Sequence, residues 1–76
     1  MQENHILNAR RLLCPLPVIR TQEAVKKLRT GDILEIIGTD KGILQDIPAW
    51  CRINGHTILD TFNNEYDYHI VLQVGE

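Results

Sequence analysis

The chain has 76 residues, a formal net charge of −2 and two cysteines. That length allows one small domain over residues 1–76, with a modest core and little room for an enclosed substrate cavity. Chemistry in so small a body is expected at its surface and with a second protein.

His5 to Ala9 reads as a short strand. A basic and apolar turn leads from it to Cys14-Pro15-Leu16-Pro17. Proline is tolerated only in the first turn of a helix, because it lacks an N–H and fixes φ. The two prolines therefore mark a helix start, and the bias of a pre-proline residue against the α region places it at Pro17. The helix is expected over Pro17 to Arg29, with Val18, Val25 and Leu28 on one stripe and Ala24 beside it. Thr30-Gly31-Asp32 ends it.

Ile33 to Ile37 is a largely apolar strand, followed by a loop from Gly38 to Gly42. A second helix is expected with Asp46 as its N-cap, Pro48 in its first turn and Gly55 at its end, after an irregular turn over Ile43 to Gln45. His56 to Phe62 and Tyr66 to Val74 read as strands joined at Asn63-Asn64-Glu65. In the last, Tyr66, Tyr68, Ile70, Leu72 and Val74 share a face. The order β-α-β-α-β-β gives an α+β two-layer sandwich, with a four-stranded sheet and both helices on one face.

Cys14 is the chemical centre of this pattern. Residues 1–29 carry six bases and two acids, whereas residues 30–76 carry two bases and eight acids. Helix-end amides and the nearby Arg10 and Arg11 are expected to lower the Cys14 pKa and favour a thiolate or persulfide anion. Pro15 and Pro17 stiffen the turn that presents it. The opposing reading is a small buried apolar residue. Lys26, Lys27 and Arg29 read as a solvated helix face.

Cys51 falls at helical spacing with Leu44 and Ile47, which favours core packing over a second sulfur site or a resolving thiol. His56 has a local hydrogen-bonding role or acts as a base. Arg52 reads as a surface charge, Trp50 as a core residue or a partner anchor, and Tyr66 and Tyr68 as sheet cover. No Cys-x-x-Cys is present and Cys51 with His56 is the only nearby soft pair, so no metal and no cofactor is expected. No basic-then-apolar leader and no bilayer-length apolar run occur, so the expected compartment is the cytoplasm, with both thiols free.

The segment Leu7-Asn8-Ala9-Arg10-Arg11-Leu12-Leu13-Cys14-Pro15-Leu16-Pro17 resembles the signature of the TusA (SirA-like) family of sulfur carriers, Leu-Asp-x-Arg-Gly-Leu-x-Cys-Pro-x-Pro. Asp46-Ile47-Pro48-Ala49-Trp50-Cys51 and Gly55-His56 are similar to its second-helix region, so the resemblance covers nearly the whole chain. It implies a mixed four-stranded sheet and a persulfide on Cys14. The implied partners are a sulfur donor of cysteine desulfurase or rhodanese type and an acceptor relay protein, serving tRNA 2-thiolation or cytoplasmic sulfur metabolism. Asn8 stands where the family has Asp, and Arg11 where it has Gly. The first substitution removes an acid that could pair with Arg10. The second falls where glycine often marks positive φ, and it adds a positive charge expected to strengthen thiolate formation.

Two other classes remain: a thiol-redox protein using Cys14 with Cys51, and a non-catalytic binding module. The acidic second half and scarce aromatics argue against stable nucleic-acid binding.

Overall fold

In a computed structural model the described residues are 3–75; residues 1, 2 and 76 of the expected domain lie outside them. The elements are β1 (Asn4–Ala9), α1 (Leu16–Val25), β2 (Ile33–Gly38), α2 (Ile43–Asn54), β3 (Thr57–Asn63) and β4 (Tyr68–Gln73). The sheet runs in the order β1-β2-β4-β3. β1 and β2 are parallel, whereas β4 is antiparallel to both its neighbours. This is the α+β sheet expected from the order of elements, and its mixed pairing is the one the family resemblance implies.

One sheet face is apolar. Ala9, Leu34, Ile36, Ile70, Leu72 and Val74 project from it onto Ile43, Ile47 and Cys51 of α2, and all nine are buried. Val18, Ala24 and Val25 of α1, with Leu28 beyond its end, pack against the same cluster. Both helices thus cover one layer. No helix among the described residues is long and apolar enough to cross a membrane.

Helix boundaries depart from expectation for local reasons. α1 stops at Val25, and Lys27 and Leu28 bond back three residues to Ala24 and Val25 in a tighter turn. The carboxylate of Asp32 then accepts the Arg29 N–H at 3.0 Å, and Gly31 takes φ 95°. The Arg29 N–H therefore finds its partner outside the helix. α2 starts at Ile43, three residues ahead of the expected Asp46 cap. Ile43, Leu44 and Gln45 N–H groups bond back three residues to Asp40, Lys41 and Gly42, so the expected irregular turn is the first turn of the helix. Pro48 consequently lies inside α2, and Asp46 lies in its first turn, where an acid suits the positive helix end. Gly55 closes the helix at φ 81°, in the left-handed region that glycine enters without strain.

The terminal hairpin turns later than expected. Asn64 Oδ1 accepts the N–H groups of Tyr66 and Asp67 at 3.0 and 2.8 Å. This side-chain-built turn holds Tyr66 outside the strand and exposed, so it does not share the inner face with Tyr68.

Candidate functional site

Parallel pairing of β1 with β2 brings the C-terminal ends of both strands to one end of the sheet. Ala9 lies opposite Gly38, and Gly38 opposite Tyr68. The turn after β1, the loop after β2 with the start of α2, and the β3–β4 turn therefore meet there. Cys14 sits in the first of these, exposed and as a free thiol. Its peptide bond to Pro15 is cis. Pro15 occupies the N-cap position of α1, and Pro17 lies buried in its first turn.

Two acids hold the turn. Asp40 accepts the Gly42 N–H through Oδ1 at 3.0 Å and the Cys14 N–H through Oδ2 at 3.3 Å. Asp46 reaches back from α2 to accept the Cys14 thiol through Oδ2, with a sulfur–oxygen distance of 3.4 Å. This hydrogen bond favours the protonated thiol. Desolvation acts in the same direction, as do the charges of Asp46 and Asp40, and together they hold the Cys14 pKa above the ordinary thiol range. The expectation of a lowered pKa is thus overturned. The basic residues counted around Cys14 in the chain are not those that face its sulfur.

Arg10 donates from Nε and Nη2 to Asp67 Oδ2 at 3.1 and 3.0 Å. Its backbone N–H donates to Asn8 Oδ1 at 3.1 Å. The acid missing at Asn8 is thus supplied by the β3–β4 turn, and Arg10 is committed to that pair. The guanidinium holds the Asp67 carboxyl below its usual pKa, while the Arg10 value is raised. Arg11 adopts φ 67°, and its N–H donates to Thr39 Oγ1 at 2.8 Å. The chain keeps a glycine-type backbone here with an arginine in place. Among the described residues the ionisable side chains that perturb the sulfur are Asp46 and Asp40, with neither Arg10 nor Arg11 among them.

Leu13, Leu16 and Ile19 are 71%, 42% and 44% exposed, so three apolar side chains flank the cysteine in sequence without entering the core. Cys51 lies fully buried in the core cluster, and burial pushes its thiol up to about 11. His56 stands at the opposite end of the sheet from Cys14: it precedes Thr57, which pairs with Gln73, itself opposite Ile33. Its Nδ1 accepts the Gly75 N–H at 2.9 Å, its ring stacks on Trp50 with centroids 5.0 Å apart, and burial lowers its pKa. Arg52 is exposed in the last turn of α2. Of the residues singled out in the sequence, the structure gathers Cys14, Pro15, Pro17, Arg10 and Arg11 at one end and leaves Cys51 and His56 apart from them.

Sequence reasoning missed Asp40 and the contact of Asp46 with sulfur. The available signal was topological. A right-handed β-α-β crossover between adjacent parallel strands puts the segments that follow each strand side by side.

The family model described as "Sulfurtransferase TusA" matches residues 5–74. A Bacillus subtilis protein named "Putative sulfur carrier protein YrkI" is 42% identical over 60 residues, covering 79% of this chain and 80% of that protein. A Neisseria meningitidis serogroup A protein of the same description is 37% identical over 62 residues, covering 82% of this chain and 84% of its own length. YrkF of Bacillus subtilis, likewise described, is 41% identical over 61 residues, but the match spans only 33% of that longer protein. Among solved structures, a SirA-like protein from Desulfitobacterium hafniense superposes with a TM-score of 0.82 at 19% identity, covering 95% of this chain and 99% of that one. That likeness concerns the fold.

Proposed function

The chain belongs to the sulfurtransferase TusA family, and from that footing we propose that Cys14 carries sulfane sulfur as a persulfide between proteins. The observation that supports this most is the position of Cys14, a free and exposed thiol on a turn stiffened by Pro15 and Pro17. Leu13, Leu16 and Ile19 offer apolar area to a partner beside it.

In the loading step the Cys14 sulfur bonds to the outer sulfur of a donor persulfide. The donor's sulfur–sulfur bond breaks, and its inner sulfur leaves as a thiolate and takes up the proton that Cys14 gives up. One thiol and one persulfide become one persulfide and one thiol, with no net oxidation. Delivery is the same step in reverse, toward an acceptor. A cysteine desulfurase or a rhodanese is the class of donor that presents such a persulfide, and a relay cysteine is the class of acceptor. The delivered sulfur would serve tRNA 2-thiolation or cytoplasmic sulfur metabolism. Because the thiolate is the nucleophile, the raised Cys14 pKa makes loading from small donors faster as pH rises.

A dithiol role finds no support, because Cys51 is sealed in the core with its thiol held up at about 11. Intact-mass measurement after incubation with glutathione persulfide tests the carrier reading. The expected result is a gain of about 32 Da, one sulfur atom, removed by dithiothreitol and absent in Cys14→Ser. Equal loading of the serine variant, or none of the unaltered chain, overturns it. A binding module would keep its partner after that substitution.

A further inference from the structure

We propose that Asp46 biases the carrier toward delivery by stabilising Cys14 only when it is empty. This rests on the carrier reading above. The contact concerned is the 3.4 Å approach of Cys14 Sγ to Asp46 Oδ2. A carboxylate can only accept, so the hydrogen between them belongs to the thiol. Loading replaces that hydrogen with the outer sulfur. The inner sulfur then has nothing to donate, and its lone pairs face a carboxylate oxygen.

Charge adds to the difference. A persulfide anion on Cys14 would stand beside Asp46 and beside Asp40, whose carboxylate is fixed by the N–H groups of Gly42 and Cys14. Among the described residues these two acids are the charged groups that act on the sulfur, and both disfavour a further negative charge there. The empty thiol donates a hydrogen bond to the same carboxylate that repels the loaded state. An equilibrium shifts by the difference in a group's interaction with its two states. Sulfur exchange between Cys14 and a second thiol is therefore drawn toward the empty carrier. The bias holds at neutral pH and fades as pH rises through the Cys14 pKa, where the empty form also loses its hydrogen.

The test equilibrates the full chain with a mixture of glutathione and glutathione persulfide, and reads the loaded-to-empty ratio by intact mass. Asp46→Ala and Asp46→Asn are compared with the unaltered chain, alongside the pH midpoint of iodoacetamide alkylation of Cys14. Asp46→Ala is expected to raise the ratio about three- to tenfold, the range of one modest hydrogen bond, and to lower the midpoint. Asp46→Asn keeps an acceptor oxygen without the charge and should fall between. Asp46 also favours α2 as a first-turn acid. A variant that melts earlier with an unchanged ratio shows that helix role alone and overturns the proposal. So does an unmoved alkylation midpoint. If the unaltered chain never loads, the carrier reading fails. Loading at an unchanged ratio sinks only the role of Asp46.

Discussion

Arg11→Gly should stabilise this protein while leaving its cysteine untouched. At φ 67° the Arg11 Cβ crowds its own backbone, and a non-glycine residue in the left-handed region costs about 1–2 kcal/mol. Glycine removes that strain but enlarges the unfolded ensemble, which costs about 0.4–1 kcal/mol. The balance is about 0.5–1 kcal/mol in favour of the folded state. In a domain this small, that raises the melting temperature by roughly 2–8 °C. The hydrogen bond to Thr39 Oγ1 comes from the backbone N–H, so it survives the change. Because Asp46 and Asp40 dominate the charges acting on the sulfur, the Cys14 alkylation midpoint should stay where it was. Arg11→Ala is the control: it removes the same charge, keeps the Cβ, and should bring no such gain. Thermal and urea melts measure the first effect, and iodoacetamide rate against pH measures the second. A less stable glycine variant would refute the strain argument. A midpoint that climbs on losing the charge would restore Arg11 as an activating group.

Ile47→Ala should be among the most damaging single changes, since Ile47 is fully buried where α2 meets the sheet. Its expected cost of about 2–5 kcal/mol is a large share of the roughly 4–11 kcal/mol typical of a chain this long, and urea melts would show it. Cys51→Ser should lower stability by about 1–3 kcal/mol, because an unpaired hydroxyl enters an apolar core; Cys51→Ala should cost less, and neither should prevent loading at Cys14. Native-state alkylation at pH 8 should modify Cys14 alone, with Cys51 reacting only after denaturant, which peptide mapping reads out. The folded pKa values of Asp32 and Asp67 lie below their ordinary values, through the Arg29 N–H and the Arg10 side chain respectively. Each therefore contributes stability that is present above about pH 4 and is lost as pH falls through the lower folded value. Asp67→Asn should flatten that acid limb, as melts from pH 6 down to pH 2 would show.

The fold was legible because each element carried its own signal. Alternation in the last strand, the 3.6-residue stripe of the first helix and the glycine after the second all act within a few residues. The misplaced boundaries are those set by partners outside the element. Asp32 takes the Arg29 N–H, and Asn64 Oδ1 folds the hairpin one step later than the run of apolar positions suggests. Asp46 looked like a cap because it precedes Pro48, yet backbone bonds to Asp40, Lys41 and Gly42 start α2 earlier and free its carboxylate.

The chemistry of the cysteine was less legible than its position, and the reason is physical. Counting charges along the chain weights Arg10 and Arg11 because they are four and three residues away. Charge acts through space, and there the acids that raise the thiol pKa come from 26 and 32 residues further on. One arginine is drawn off by Asp67, from the turn between β3 and β4. What reverses the sign at Cys14 is the parallel pairing of β1 with β2, which delivers the acids at the end of one strand to the thiol at the end of the other. A basic segment that carries a reactive cysteine is evidence for an activated sulfur only once the topology says which segment faces it. Here the facing segment is acidic, and it favours the protonated thiol.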